Sequence, residues 1–308
     1  MRVKNADEVT LIDIPKLFST LLERIQPLES EILQAESHAA SMKSRLEKQF
    51  ELVKFELMGS HSRGSAIRRF SDVDYLTVFS RDDARWGSRY VDSRTLLRRV
   101  KSCLEGRYSQ TAMRRDSQAL VIKFGGGAYG VDIVPGFFEE MERNEFATYP
   151  LYYIPDGTGD WLPTSPATHG KFIRESDEAS NSKLSRTIQL MKHWGFSRFP
   201  PIPFHPFHLE LLFSAEGIFK GAKSYSMCLF DAFDLLSRRQ CRPLRDPVGI
   251  SGIITATITE PQRDYLYRAI VLARDRAWKA IEFEESGKVF NARGMWSTIF
   301  NGKFPAYA

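Results

Sequence analysis

Two aspartates stand at the start of an apolar segment, in the run Ser71-Asp72-Val73-Asp74-Tyr75-Leu76. This pattern predicts a β-strand, on which side chains two positions apart point to the same face. Asp72 and Asp74 would therefore project together, and two neighbouring carboxylates repel each other unless a cation lies between them. Carboxylate oxygens that leave room for water and phosphate suit Mg²⁺. Taken alone, however, such a pair is more often a solvated strand face or a turn.

Two further features accompany the aspartate pair. Upstream, Gly59-Ser60 ends a predicted strand and opens a predicted helix; free amides at a helix start bind phosphate, and the Ser60 hydroxyl adds a donor. Downstream, Asp132 is a lone acid in the apolar run 130–134, where a carboxylate is costly unless it is paired or bound to metal. An ordinary Gly-Ser turn and a salt-bridged Asp132 are the simpler explanations. The order of the three features favours a two-metal site for nucleotidyl transfer.

The spacing of apolar residues divides the chain into a mixed part and a helical part. A helical period over residues 12–50 predicts one or two long helices, bent near Pro27. Strands are predicted at 55–58, 72–79, 119–124 and 130–134, with a helix at 93–104. Further helices are predicted at 184–194, 207–219, 226–236 and 262–283. We expect an α+β protein with a mixed core at 1–165 that includes the N-terminal bracing helix, a helical lobe at 166–308, and a cleft between them.

Composition limits the class of protein. The chain has 308 residues, of which 43% are hydrophobic and 26% charged, as in ordinary globular proteins. We expect no membrane span, because no run of about 18 apolar residues occurs, and no signal peptide, because the first residues are polar. Three cysteines without ligand spacing suit a reducing cytoplasm and predict no structural zinc site. The net charge of +5 suits anionic ligands, but it fits a plain solvated surface better.

Two other motifs carry less weight. The glycine run Gly125–Gly130 matches the dinucleotide-binding fingerprint G-x-G-x-x-G. That fingerprint must open a helix, whereas a strand follows here, so we interpret the run as a hairpin loop. His205 and His208 have no partner ligands in the sequence, so a metal site at this pair is not expected.

The three acidic positions and Gly59-Ser60 together resemble the signature of polymerase-β-type nucleotidyltransferases. The second half of the chain sharpens this resemblance. Leu190–Trp194 is similar to the helix that carries a phosphate-binding lysine in oligoadenylate synthases and cyclic GMP–AMP synthase, and Pro206–Leu212 is similar to the segment with a base-stacking aromatic. With the C-terminal pattern around Trp296 and Phe300–Pro305, the resemblance covers nearly the whole chain. It identifies the chain as similar to bacterial cGAS/DncV-like nucleotidyltransferases (CD-NTases), which make cyclic oligonucleotide signals in anti-phage (CBASS) defence.

The resemblance implies a polymerase-β-like fold and a role for each matching residue. Asp72, Asp74 and Asp132 would be the catalytic metal ligands for two Mg²⁺ ions, with Mn²⁺ as a possible substitute. Nucleoside triphosphates (ATP and/or GTP, UTP, CTP) would be bound by Gly59, Ser60, Lys192 and Phe207. An isolated Lys192 would otherwise be taken as an exposed helix lysine, and Phe207 as a core aromatic. A cyclic product implies a downstream cyclic-nucleotide effector.

Two departures from the family pattern limit these roles. The cysteines lack the spacing of the zinc-bearing insertion of cyclic GMP–AMP synthase, so activation by nucleic acid is not indicated. Pro206-Phe207 replaces the Gln-Tyr pair of oligoadenylate synthases, so hydrogen bonds from that pair to the base are lost. Two alternatives remain open. One is an enzyme of the same superfamily that makes linear oligonucleotides or modifies a tRNA, a protein or a small molecule; the other is a catalytically silent nucleotide or RNA sensor.

Overall fold

The computed structural model describes residues 13–108, 111–124, 130–145 and 147–307. It confirms the predicted α+β class, with a mixed sheet and flanking helices. The first elements are α1 (Ile14–Ile25), α2 (Glu29–Leu46), β1 (Leu52–Met58), α3 (Gly59–Ser62), β2 (Val73–Phe79), β3 (Arg85–Trp86), β4 (Arg89–Tyr90), α4 (Ser93–Glu105), β5 (Ala112–Asp116), β6 (Ala119–Lys123), β7 (Val131–Arg143), β8 (Thr148–Pro155) and β9 (Trp161–Thr164). They are followed by α5 (Pro166–Ala179), α6 (Lys183–Phe196), α7 (Pro206–Glu216), α8 (Tyr225–Arg238), β10 (Leu244–Arg245), β11 (Ile253–Ile254), α9 (Glu260–Glu285) and α10 (Val289–Ile299).

Seven strands of the described chain form one sheet, in the order β1-β2-β7-β6-β5, with β8 paired to β7 and β9 to β8. The β2–β7 pair is parallel and the other pairs are antiparallel. The helices α2 and α4 cover one face of this sheet, where Met42, Leu46 and Val100 are fully buried. Because β2 and β7 run parallel and adjacent, the residues at their N-terminal ends lie at the same edge of the sheet.

The helices after β9 pack around a second core, whose largest side chains include Trp194, Phe213 and Phe233. The first helix, α1, belongs to this second core. Its Phe18 is fully buried and meets Trp296 of α10 edge-on, with ring centroids 5.0 Å apart. The next helix, α2, packs instead on the sheet. The chain thus changes direction near Pro27, so that α1 packs with the helices and α2 packs on the sheet.

The sequence missed several elements after Pro150. Strands β8 and β9 and helix α5 lie in a passage rich in proline, glycine and aspartate. Proline weakens the strand signal, and both Pro150 and Pro155 lie in β8. The intervening turn is held by Asp156, whose Oδ1 accepts the backbone amides of Thr158 at 2.7 Å and of Gly159 and Asp160 at 3.0 Å. Such local hydrogen bonds favour a turn, so the aspartate that signalled a loop in fact closes a hairpin.

The predicted boundary between residues 165 and 166 coincides with the start of α5, at Pro166. The division into two lobes there remains a prediction, because α1 packs with the helices beyond the boundary. Among the helices of the described chain, none combines the length and the apolar character that crossing a lipid bilayer requires.

Candidate active site

The three predicted acids meet at the edge of the sheet where β2 and β7 begin. In the parallel β2–β7 ladder, Asp74 stands directly beside Asp132. Asp72 lies immediately before β2, two residues from Asp74. All three line one cavity of about 440 Å³. The parallel register therefore brings together two acids that are far apart in sequence.

Burial and mutual repulsion disfavour the charged forms of two of these acids. Burial is the largest cause that raises the pKa of Asp74 to about 7; the nearby Arg63 opposes it, and Asp72 adds to it. Burial likewise raises the pKa of Asp132 to about 8, with further contributions from Asp74 and Asp72. A cation placed among the three carboxylates would reverse these effects. The cluster thus has the electrostatic character of a site that is completed by positive charge.

Hydrogen bonding at Asp132 points the same way. Its Oδ1 atom is buried and has no hydrogen-bond partner among the described residues, which is costly for a carboxylate unless a proton or an ion satisfies it. Hard carboxylate oxygens are the donors that Mg²⁺ prefers, so the donor set fits a magnesium site. Among the described residues, however, no three His, Cys, Asp or Glu side chains are already arranged closely enough to bind a single metal ion.

Two glycines make room for the carboxylates. Gly59 has a φ of +70°, and a Cβ atom there would overlap the carboxylate of Asp74. A Cβ atom at Gly130 would overlap the carboxylate of Asp72. The sequence singled out Gly59 as part of a phosphate-binding turn, whereas Gly130 was assigned only to a glycine-rich loop. The remainder of that loop, residues 125–129, lies outside the described part of the chain.

The predicted nucleotide-binding residues line the same cavity. Ser60 lies in α3, a single turn that follows β1 directly, as predicted. Phe207 lies at the start of α7, half-buried, with the ring of His169 packed edge-on at 5.4 Å between centroids. The structure therefore brings Gly59, Ser60 and Phe207 to the cavity that holds the acids.

Lys192 also borders the cavity, but in a setting that the sequence did not foresee. Its side chain is only 2% exposed, and Nζ donates a hydrogen bond to the backbone oxygen of Ser65 at 2.9 Å. Burial lowers the pKa of Lys192 to about 8, while the neighbouring Glu210 acts to raise it. Lys192 is therefore not an exposed helix residue, and the phosphate contact that the resemblance implies for it stays a prediction.

Sequence analysis missed three polar side chains at this site. Arg63, Glu210 and His169 all line the cavity; Arg63 follows Gly59-Ser60 closely and Glu210 lies within Pro206–Leu212, yet no spacing singled out any of the three. Arg63 and Glu210 form a buried ion pair, with Nη2 and Oε2 2.6 Å apart. They are separated by more than a hundred residues, so only the fold reveals the pair. The two histidines judged unlikely as metal ligands have other partners: His205 Nδ1 lies 3.0 Å from the oxygen of Thr255, and His208 Nε2 lies 3.1 Å from that of Arg242.

His169 is held from behind by Asp246, a buried carboxylate in the loop after β10. His169 Nε2 lies 2.8 Å from Asp246 Oδ2. Backbone amides of the same loop also donate to this carboxylate, from Val248, Ile250 and Ser251 at 3.0, 2.9 and 2.7 Å. Burial alone would raise the pKa of Asp246, but the hydrogen bonds from His169 and the amides lower it to about 2. This carboxylate therefore fixes both the loop and the histidine behind Phe207.

We expect Asp246→Ala to lower the free energy of unfolding by about 3 to 5 kcal/mol, because it leaves buried donors without an acceptor. The control is Asp234→Ala on the exposed face of α8, where the pair with Arg238 is worth about 0.5 kcal/mol or less. The folded-state pKa of Asp246 is depressed, so its contribution is present above about pH 4 and is lost as the pH falls towards 2. Denaturant titrations at pH 7 and pH 3 would measure both effects. Equal losses in the two variants at pH 7 would contradict this role.

Comparison with known proteins identifies the family. The Second Messenger Oligonucleotide or Dinucleotide Synthetase domain matches residues 13–177, more than half of the chain. A probable cyclic nucleotide synthase of Bacillus cereus (strain VD146) is 23% identical over 283 residues, which cover 81% of each protein. The cyclic AMP-AMP-AMP synthase of Escherichia coli (strain MS 115-1) is 25% identical over 166 residues, 53% of this chain and 50% of that enzyme. The structure of E. coli MS115-1 CdnC with ATP has a TM-score of 0.71 at 18% identity and covers 94% of this chain and 98% of CdnC.

The fold is thus the one that CdnC adopts. The chain belongs to the Second Messenger Oligonucleotide or Dinucleotide Synthetase family, within the cGAS/DncV-like group that its sequence motifs resemble. Its class of activity is the joining of nucleoside triphosphates into a second-messenger oligonucleotide.

Proposed function

We propose that this protein joins nucleoside triphosphates into a cyclic oligonucleotide in the cavity between the sheet and the helices, at a site built on Asp72, Asp74 and Asp132. The observation that carries the proposal is the meeting of the three carboxylates in one cavity, where a buried oxygen of Asp132 finds no hydrogen-bond partner in the part of the chain that the structure describes. The names of the relatives support a cyclic product. Ring size and base identity are left open by this observation.

In this proposal the three aspartates hold two Mg²⁺ ions, or Mn²⁺ in their place. Bound there, the ions supply Lewis-acid chemistry at the α-phosphate and at the attacking ribose hydroxyl. Asp72 from just before β2 and Asp74 from within β2 bind together, and Asp132 completes the site from the neighbouring strand β7. The Ser60 hydroxyl donates to the phosphate chain, and Phe207 offers an aromatic face for a base, a contact that tolerates different bases.

Ring closure requires a second transfer within the same cavity. The first step forms a phosphodiester bond between the ribose hydroxyl of one nucleotide and the α-phosphate of another, and pyrophosphate leaves. The linear product then presents its own triphosphate and a free hydroxyl, and the same carboxylates serve the displacement that closes the ring and releases a further pyrophosphate, directly for a cyclic dinucleotide or after one more addition for a cyclic trinucleotide. We place this activity in the cytoplasm, in anti-phage (CBASS) defence, with a downstream effector that binds the cyclic product.

The decisive experiment omits any acceptor. Purified protein is incubated with Mg²⁺ and pairs of the four radiolabelled ribonucleoside triphosphates, and the products are treated with phosphatase. We expect a labelled product that resists phosphatase, because a ring has no terminal phosphate. Products that lose their terminal phosphates in this treatment, and therefore change in charge and mass, would indicate linear oligonucleotides. Transfer only after addition of tRNA, a protein or a small-molecule acceptor would favour the other branch of the superfamily, and binding without turnover would favour a silent sensor.

A further inference from the structure

Three side chains from helices α6 and α7 form hydrogen bonds with the loop between β1 and β2. We call residues 59–66 the active-site loop. Gln189 Nε2 donates to the backbone oxygens of Gly64 and Ala66 at 3.2 and 3.0 Å. Lys192, one turn further along α6, donates to the oxygen of Ser65. The Ser65 hydroxyl in turn donates to Glu210 of α7. The position of the active-site loop is therefore set by α6 and α7.

The hydrogen bond to Ser65 reduces the capacity of Lys192 to serve as the main phosphate ligand. One of its three N–H groups is used by Ser65, and the side chain is 2% exposed. An ammonium that donates to a backbone oxygen has fewer N–H groups left for a phosphate. A second fixed cation at the cavity would add to the charge that Lys192 and bound metal ions supply to a triphosphate.

Arg63 has the required position. Its Nε and Nη2 atoms both contact Glu210 Oε2, at 2.7 and 2.6 Å. Its guanidinium lies over the Phe207 ring, 5.4 Å from the centroid. The Arg63 side chain is 9% exposed and that of Glu210 only 1%. The guanidinium is thus fixed on one edge by a carboxylate and on one face by the aromatic ring.

The third guanidinium nitrogen of Arg63, Nη1, is not used by Glu210. Within the described parts of the chain, Nη1 makes no hydrogen bond to a protein acceptor, and Arg63 lines the same cavity as the three acids. Of the two cations that act to lower the pKa of Asp74, Arg63 and Lys192, Arg63 has the larger effect. Arginine keeps its charge in a buried setting and forms directional bonds to phosphate oxygens. Because the side chain is already ordered, little conformational entropy is lost when a ligand binds it.

We propose that Arg63 is a nucleotide-contacting residue that binds the phosphate chain of a nucleoside triphosphate, and that Glu210 is the positioning residue that holds it. The inference rests on the proposed function, because it assumes that triphosphates enter this cavity. It goes beyond that proposal by assigning the principal protein cation to the loop residue Arg63, whereas the family resemblance implied only Lys192. The competing explanation is that Arg63 and Glu210 form only a structural tie between the loop and α7.

The test measures how affinity depends on the number of phosphates. Dissociation constants for AMP and for a non-hydrolysable ATP analogue with Mg²⁺ are determined for the wild type, Arg63→Gln, Arg63→Lys and Glu210→Gln. The control is Arg238→Gln, an exposed arginine on α8. We expect Arg63→Gln to weaken binding of the ATP analogue roughly 10- to 100-fold, which is the usual effect of losing a hydrogen bond to a charged group. Binding of AMP should weaken much less. Arg63→Lys retains the charge and should lose less affinity.

Glu210→Gln separates contact from structure. If the ion pair is only structural, removing either partner should have the same effect. Glu210→Gln and Arg63→Gln would then reduce the affinities for AMP and for the ATP analogue equally, and would lower the thermal stability by the same amount. A phosphate contact predicts asymmetry, because Glu210→Gln leaves the cation in the cavity and preserves the preference for the ATP analogue over AMP. If Arg63→Gln does not fold, Arg63→Met replaces it, because methionine is also unbranched but carries no charge: an unchanged ATP-to-AMP ratio in folded Arg63→Met overturns the inference. Absence of nucleotide binding by the wild type would overturn the proposed function itself.

Discussion

Asp132→Asn should lower the rate of nucleotide joining at least ~10³-fold, while the protein stays folded. A third carboxylate that helps to hold the catalytic ions contributes several kcal/mol to transition-state stabilisation, and each 1.36 kcal/mol is about tenfold in rate. The fold should tolerate the change, because burial already raises the pKa of Asp132 to about 8 and so favours its neutral form without a cation. An asparagine side chain resembles that neutral form in size and shape.

Two measurements test this expectation. Initial rates of pyrophosphate release give the loss of activity, and thermal unfolding with and without Mg²⁺ gives the loss of ion binding. Wild-type protein should gain stability with Mg²⁺, as any ligand of the folded state confers, and the variant should gain less. The matched control is Asp116→Asn: Asp116 is close enough to raise the pKa of Asp132 but is exposed and paired with Arg114 at 2.7 Å. A similar rate loss in both variants would make the effect one of general charge, not of ion binding.

Gly59→Ala should lower activity by roughly 100-fold or more with only modest loss of stability. A single methyl group at this position overlaps the carboxylate of Asp74, so either the aspartate or the active-site loop must move. Displacement of a reacting group by about 1 Å can cost about 100-fold in rate. The φ of +70° at Gly59 adds about 1 to 2 kcal/mol of backbone strain for any residue with a Cβ atom.

The control isolates strain from overlap. Gly287 has a φ of +71°, and a Cβ atom there meets nothing within 4 Å. Gly287→Ala should therefore show a similar loss of stability in denaturant titrations but retain wild-type activity. If Gly59→Ala were as active as Gly287→Ala, the proximity of Gly59 to Asp74 would have no catalytic significance, and the proposed arrangement of the acids would need revision.

The aspartates illustrate which parts of a site can be predicted from sequence. Asp72 and Asp74 are noticeable because a strand has a period of two, and Asp132 because its neighbours are apolar; these are local properties. That Asp74 lies beside Asp132 depends on parallel pairing of β2 with β7, which local patterns do not specify. The family resemblance supplied the connection, and the structure supplies the register. The catalytic role of the three acids stays a prediction until the variants are measured.

Lys192 and Arg63 show the opposite situation. The motif around Lys192 suggested a phosphate ligand, but the hydrogen bond to Ser65 is a contact across 127 positions that no local pattern reveals. Arg63 stands within the motif that was examined, yet its importance depends on Glu210, 147 positions away. Long-range partners decide whether a charged side chain faces a ligand or the protein. Residue type and spacing therefore predict the aspartate cluster better than the cations around it.

The packing of α1 against α10 has a consequence for biosynthesis. Phe18 leaves the ribosome early, whereas its partner Trp296 is made near the end of the chain. At about 5–20 residues per second, roughly 15 to 60 s of translation separate the two. During that interval α6 and α8 can already cover part of the apolar face of α1, but the part that packs on α10 has no native surface, so the helical half can complete its folding only after almost the whole protein has been translated. A chain that stops before α10 should therefore be a substrate for chaperones and proteases even when its catalytic sheet is intact.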